Sequence, residues 1–346
     1  VADINHHLTE LKVQKFKRFD SLHMSDLGQF NLILGDNNVG KTSVLEALLI
    51  DSDPKNTVYR LFGALAFRKL KSSFYYSDIE VFAGRSADSY ENGEFEIVLD
   101  QVLVGDSIRI VISASRSEGN LRIGVYRSTK GQEVANMDFG LQETAFFSIN
   151  APWSIPYVPF YQGHDNDLTK YYSKLQENKS SKKKFLKALR VLLPEIDNVE
   201  LSSPYSGQGP HLIVFQSHTD NALPLAVFGD GVLKLFRFVA EIISQKGRRL
   251  MIDEIDTGIH FSRMREFWKV ILETAIDNDV QLFMTTHSEE CVRFFKEVLE
   301  EELSEYKERA RAISLVEHRE TKKVTAHTYP FEQFEHAINV GNEIRG

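Results

Sequence analysis

A single cysteine, Cys291, stands in the whole chain, which excludes an internal disulfide and a cysteine-based zinc cluster and suits a reducing compartment. Long hydrophobic runs are missing as well. No stretch approaches the about 20 consecutive apolar residues that a membrane helix needs, and Val1-Ala2-Asp3-Ile4-Asn5-His6-His7 lacks the apolar core of a secretory leader, so a cytoplasmic protein without a membrane partner is expected. There is no sustained heptad pattern, internal repeat or low-complexity linker, so a long coiled-coil rod is excluded and nothing cleanly separates independent domains. Positive charge is in deficit: 41 Lys and Arg against 49 Asp and Glu give a net charge of −8, unsuited to a broadly basic nucleic-acid binder, although a local basic groove stays open. What is present, 346 residues at 42% hydrophobic and 26% charged, suffices for a large core and is long for one simple domain.

The most informative stretch is Gly35-Asp36-Asn37-Asn38-Val39-Gly40-Lys41-Thr42, which fits G-x-x-x-x-G-K-[ST]. Its setting matters as much as its letters. The apolar run Phe30 to Leu34 predicts a strand before it, and Ser43 to Ile50 predicts a helix after it. In that setting the glycines let backbone N–H groups wrap a polyphosphate, Lys41 reaches the β- and γ-phosphates, and the Thr42 hydroxyl can ligate Mg²⁺.

Around this loop, Leu8 to Phe16 alternates as a strand and Lys15-Phe16-Lys17-Arg18-Phe19 forms a basic-aromatic cluster, while Thr57 to Leu70 has helical spacing. From Glu94 the period changes to two, with runs at Phe95 to Leu99, Ser107 to Ser113 and Leu121 to Tyr126 separated by turn residues: an antiparallel meander. Ile155 to Tyr161 reads as a short, proline-limited strand with Gln162 directly after it. Asp167 to Leu193 reads as helical and concentrates Lys170, Lys174, Lys179, Lys182, Lys183, Lys184, Lys187 and Arg190, either a solvated face or a site for nucleic acid or an acidic partner. Turn residues surround a strand at His211 to Phe215.

In the second half, Arg248-Arg249-Leu250-Met251-Ile252 leads into adjacent carboxylates, Asp253 and Glu254. Neighbours on a strand point opposite ways, so one can face a metal while the other turns toward an attacking water. Ser262 to Ile276 is a predicted helix, and Val280 to Thr285 a strand ending in Thr285-Thr286-His287-Ser288, where His287 can reach a γ-phosphate. Gly229-Asp230-Gly231 opens a further helix. After His287 come an acidic helix from Glu289 to Arg311, strands at Ala312 to Glu317 and Lys323 to His327, and a terminal helix.

In this order the elements resemble an ABC-type ATPase, and more narrowly the OLD, RecF and SMC group with its compact AAA-labelled members. The resemblance implies an α/β P-loop NTPase of ABC-ATPase type: a mixed central sheet, an antiparallel β-meander and a helical insertion. It further implies one head over 1–346, with a β subdomain at 90–130, the insertion at 165–195 and a C-terminal extension at 300–346. The nucleotide-binding residues are then Gly35, Asp36, Asn37, Asn38, Val39, Gly40, Lys41, Thr42 and Ser43. Catalysis falls to Lys41, Glu254 and His287, and the metal to Thr42, Asp253 and Gln162. Gly229, Asp230 and Gly231 match the signature that acts in trans, with Phe228 where a serine is usual and His260 where transporter-type members place the D-loop aspartate. The stretch after His287 is too short for the Toprim nuclease of the OLD proteins. The expectations are an ATPase using ATP and Mg²⁺ that closes as a homodimer or higher homo-oligomer. It would gate a separate effector in anti-phage defence or DNA maintenance, with DNA a candidate partner. The rival expectation is a nucleotide-gated scaffold with little hydrolysis.

Overall fold

The computed structural model describes residues 7–69, 94–103, 106–115, 120–127, 132–140, 155–159, 165–202 and 210–340. In chain order its elements are β1 (Leu8–Phe16), β2 (Phe19–Met24), β3 (Phe30–Gly35), α1 (Lys41–Ala47), α2 (Pro54–Lys69), β4 (Glu94–Leu103), β5 (Asp106–Ser115), β6 (Asn120–Arg127) and β7 (Gln132–Gly140). Next come β8 (Tyr157–Val158), α3 (Asp165–Gln176), α4 (Lys179–Leu192), β9 (Ile196–Ser202), β10 (His211–Gln216), β11 (Leu223–Pro224) and α5 (Asp230–Ser244). The chain continues through β12 (Arg249–Ile252), α6 (Met264–Asp277), β13 (Gln281–Thr285), α7 (Glu289–Glu301), β14 (Ala310–Glu317), β15 (Val324–Pro330) and α8 (Phe331–Asn339). It divides into two compact units, Val1–Tyr157 with Ala310–Gly346, and Val158–Arg309.

The first unit holds an antiparallel sheet ordered β2-β1-β4-β5-β6-β7. Period-two alternation builds its inner face: Leu11, Val13, Ile97, Leu99, Ile110, Ile112, Ile123 and Val125 are all buried. Registers such as Val13 with Leu99, and Ile97 with Ile112, hold these residues opposite one another. The predicted meander is therefore present, but it has a fourth strand, β7, and pairs through β4 with the β1–β2 hairpin. The stretch between the basic-aromatic cluster and Phe30 begins as a strand, β2. In the same unit β3 pairs parallel with β14, which pairs antiparallel with β15, a mixed arrangement. Every residue of β3 is buried, so no alternation marks it.

The second unit is a βαβ arrangement, parallel β12 and β13 joined through α6, together with the antiparallel trio β11-β10-β9 and helices α3, α4, α5 and α7. The helix expected over Asp167 to Leu193 is two helices. Asn178 stops the first and caps the second, its Oδ1 accepting from the Ser180 and Ser181 N–H groups. Tyr172, Phe185 and Phe236 from three helices form one aromatic cluster, with Phe185 and Phe236 centroids 4.6 Å apart at 79°. α7 ends at Glu301 rather than Arg311, and a 3-10 segment, Ser304–Arg309, completes the link to β14. Among the described residues no helix is long and apolar enough to cross a membrane.

Candidate functional site

The phosphate-type loop lies where expected, between the buried strand β3 and α1, but the helix runs from Lys41 to Ala47, short of Ile50. Its glycines answer two packing demands. Gly35 has φ +139°, and a Cβ there would stand 2.6 Å from the Leu315 carbonyl oxygen, so side-chain-free backbone lets β14 lie close. Gly40, at φ +110°, caps α1, and a Cβ would stand 2.8 Å from both Arg18 Cδ and Phe19 Cζ. Asn38 also takes a left-handed backbone, φ 63°. Lys41 is buried, and its ammonium lies across the loop, donating to the carbonyls of Gly35 at 2.7 Å and Asp36 at 2.9 Å. Thr42 and Ser43 are half-buried in the first turn of α1, and Asp36, Asn37 and Asn38 are exposed at the loop's tip.

Beside this loop is a cavity of about 480 Å³, bounded by Asp36 to Val39 on one side and by the β14–β15 turn on the other. Arg18, Arg319 and Lys322 bring cations to it, and Glu317 pairs with Arg18 and lies 3.4 Å from Lys322. The basic-aromatic cluster after β1 thus contributes to the loop's surroundings: Phe19 packs under Gly40, and Lys17 pairs with the buried Glu46 of α1.

In the second unit the two carboxylates follow β12. Asp253 is buried, and its Oδ1 accepts from Thr285 Oγ1 at 2.7 Å. The same hydroxyl oxygen accepts the Glu254 N–H at 2.8 Å, so one threonine at the end of β13 fixes both positions. Glu254 itself has φ 49°, a backbone conformation uncommon for a residue with a Cβ, which the loop's hydrogen bonds hold in place. Its Oε1 lies 3.6 Å from His287 Nε2, and its Oε2 accepts from Thr257 Oγ1 at 3.3 Å. Thr286 repeats the device one residue on, donating to Asp256 Oδ1 at 2.6 Å. Cys291 is buried behind this loop, where burial raises its thiol pKa and makes it a packing residue rather than a nucleophile.

Gly229-Asp230-Gly231 begins α5. Gly229 has φ +85° with open space where a Cβ would stand, whereas a Cβ on Gly231 would meet the Gly258 carbonyl oxygen at 3.0 Å. The start of α5 therefore packs on the loop that follows Glu254. Lys234 strengthens that contact by donating to the Thr257 carbonyl at 2.6 Å. Burial lowers its pKa, opposed by Asp230, Glu254 and Asp256.

Asp253, Glu254 and His287 are gathered in one unit with Gly229 to Gly231 packed on the adjoining loop, and Gly35 to Ser43 form the loop of the other. Gln162 lies outside the described residues, as does the aromatic run Phe74 to Tyr76. Sequence reasoning assigned no role to Thr285, Thr286, Thr257 or Lys234. For Thr285 and Thr286 the signal was the hydroxyl pair at the end of β13, whose partners are 32 and 30 residues away, whereas Thr257 stands three residues from Glu254.

Comparison with known proteins agrees with this architecture. Residues 137–293 match a family model described as "AAA domain, putative AbiEii toxin, Type IV TA system". A Helicobacter pylori protein named ATP/GTP phosphatase is 21% identical, over 85% of this chain and 89% of its own. An Smc head bound to the C-winged helix domain of ScpA superposes with a TM-score of 0.57 at 12% identity, over 95% of this chain and 99% of its own. An Smc head with an extended coiled coil, bound to the C-terminal domain of ScpA from Pyrococcus furiosus, gives 0.56 at 12% identity, over 96% and 99%. The chain has the P-loop ABC-type ATPase fold seen in Smc heads.

Proposed function

We propose that this chain binds ATP on the Gly35 to Ser43 loop and hydrolyses it with Glu254 as general base, 1–346 working as a single ATPase head. The observation that carries the reading is the held carboxylate pair. Asp253 is pinned by Thr285, while Glu254, one residue on, has Thr257 beside Oε2 and His287 beside Oε1. Asp253 can thereby serve a cation while Glu254 takes a proton from water. The Helicobacter pylori relative's name, ATP/GTP phosphatase, supports hydrolysis.

Among the described residues no group of three or more His, Cys, Asp or Glu could hold a metal by itself. Mg²⁺ takes one or two protein oxygens and completes its shell with phosphate and water. By the sequence resemblance Thr42, Asp253 and Gln162 would be its protein ligands, and such an ion would neutralise phosphate charge. Lys41 holds the β- and γ-phosphates, and Arg18, Arg319 and Lys322 give the neighbouring cavity its attraction for the rest of the nucleotide.

The reading extends to a homodimer closed head to head, with Gly229, Asp230 and Gly231 offered to the partner's nucleotide. Three apolar side chains near these elements in the chain are exposed. Leu223 and Val227 precede the signature, and Phe261 follows the loop on which Gly231 packs. Closure would gate a separate effector. The OLD-like assignment and a role in anti-phage defence or DNA maintenance rest on the sequence resemblance. Phosphate release from Mg-ATP, measured against protein concentration, tests the core of the proposal. Turnover whose specific rate rises with concentration is expected, and its absence at every concentration, with ATP bound, would favour the scaffold.

A further inference from the structure

The loop that follows the carboxylates is tied to two elements, and the second tie has no part in the chemistry described so far. Lys234, on the first turns of α5, donates to the Thr257 carbonyl at 2.6 Å, and its stem lies 3.7 Å from the position of a Cβ on Gly258. Thr257 in turn makes two bonds to Glu254. Its N–H donates to the Glu254 carbonyl at 3.1 Å and its hydroxyl to Oε2 at 3.3 Å. The two oxygens of that carboxylate thus have different neighbours, Thr257 for Oε2 and His287 for Oε1. Glu254 has a long side chain, 34% exposed, on a left-handed backbone. Without an oriented donor such a carboxylate samples several rotamers.

We propose that Thr257 and Lys234 are positioning residues for the Glu254 carboxylate. Thr257 sets the rotamer, and Lys234 ties the threonine's peptide to the helix that carries Gly229 to Gly231. This deepens the proposed hydrolysis and rests on Glu254 being the base. A proton-accepting oxygen must be aimed at the water in the transition state, whereas ATP binding does not require it, so the pair acts on kcat and not on KM. Through Thr257, Lys234 links the helix that carries Gly229 to Gly231 to the Glu254 carboxylate, so the state of that helix bears on the base.

Steady-state kinetics with Mg-ATP, together with the affinity for a non-hydrolysable ATP analogue, test this. Thr257→Val, nearly isosteric, should lower kcat about tenfold or more while KM and analogue affinity stay within about twofold, and Thr257→Ser should restore most of the rate. Lys234→Met should lower kcat in the same way. The double variant should fall short of the product of the two losses, because both act through one carboxylate. If Thr257→Val does not fold, Thr257→Ala against Thr257→Ser gives the same comparison. A wild-type kcat in Thr257→Val, a loss confined to KM, or no rescue by serine would overturn the proposal. Glu254→Gln separates the two levels: if it is inactive while Thr257→Val is unimpaired, only the positioning role fails, whereas full activity in Glu254→Gln removes the base assignment itself.

Discussion

The loop of the first unit and the loop of the second are held by opposite means. Between β3 and α1 the shape depends on side chains that are missing: Gly35 lets β14 approach to a distance that a Cβ would forbid, and Gly40 leaves room for Arg18 and Phe19. After β12 the shape depends on side chains that are present, with Thr285, Thr286 and Thr257 each donating a hydroxyl to a carboxylate. A backbone-built loop suits a ligand whose charge is spread over many oxygens, since N–H groups along the chain can meet it wherever it lies. A loop built from side chains suits aiming one atom. The difference teaches that substitutions in the two loops fail differently, the first through shape and binding, the second through orientation and rate.

The largest effects should come from the charged residue at each centre. Lys41→Ala removes a buried cation that the loop encloses, so nucleotide binding and turnover should both be lost. Glu254→Gln keeps the shape and removes the base. Turnover should fall by about two orders of magnitude or more while ATP binding is retained, with ATP trapped in the closed assembly. Calorimetric ATP titration beside phosphate release gives both readouts, and loss of binding in Glu254→Gln would erase the contrast.

Next in size is the test of sharing between subunits. The close approach of Gly231 to the Gly258 carbonyl makes a bulky residue there damaging within its own chain, so Asp230, exposed at the start of α5, is the better probe. Asp230→Arg should bind ATP and turn it over at about a tenth of the normal rate or less. Mixed with Lys41→Ala, it rebuilds one intact composite site per heterodimer and puts both lesions in the other. Partial recovery of activity is expected, and none in mass-verified heterodimers would argue for a site complete in one chain.

A smaller pair of effects concerns stability. Gly35→Ala should cost about 2–4 kcal/mol of unfolding free energy, from a Cβ forced against the Leu315 carbonyl at a positive φ. Thr285→Val should cost about 1–3 kcal/mol, the penalty of leaving the Glu254 N–H and the Asp253 carboxylate without their hydroxyl partner, and should slow turnover more than it weakens folding. Urea unfolding of both variants decides the order.

The same contrast explains what the sequence disclosed. The phosphate loop was legible because its shape is local, glycines and lysine at fixed spacing between a strand and a helix. Asp253, Glu254 and His287 were legible because each closes a strand. The threonine network was not, since a hydroxyl reveals nothing of a carboxylate about 30 residues away until the strands are paired. Strand β2 was hidden by a tight reversal made without glycine, with Lys17 at φ 54°. Strand β9 fell between Pro194 and Pro204 and was lost among turn signals, although its buried Ile196 and Val199 pack inward. One helix became two at Asn178 because a side-chain cap outweighed continuous helical composition.

The smallest expected effect separates structural from available cations on α4. Lys184 donates to the Asp277 carbonyl at 2.9 Å, closing the last turn of α6, and Arg190 holds the Ile196 and Asp197 carbonyls. Lys179, Lys183 and Lys187, exposed at four-residue spacing, form one outward face, and among the described residues none of them has an ion-pair partner. Like charges at this spacing are mildly destabilising, and reversing them separates a solvated face from a site for an anionic partner such as DNA. Lys184→Ala should therefore cost about 0.3–1 kcal/mol in urea unfolding, and Lys183→Ala nothing measurable. Joint reversal of Lys179, Lys183 and Lys187 to Glu should leave basal turnover unchanged and weaken duplex DNA binding, with a shallower salt dependence. If Lys183→Ala were as destabilising as Lys184→Ala, the face would belong to the fold. If the triple reversal left DNA binding and its salt slope intact, the row would be a solvated helix surface and no docking site.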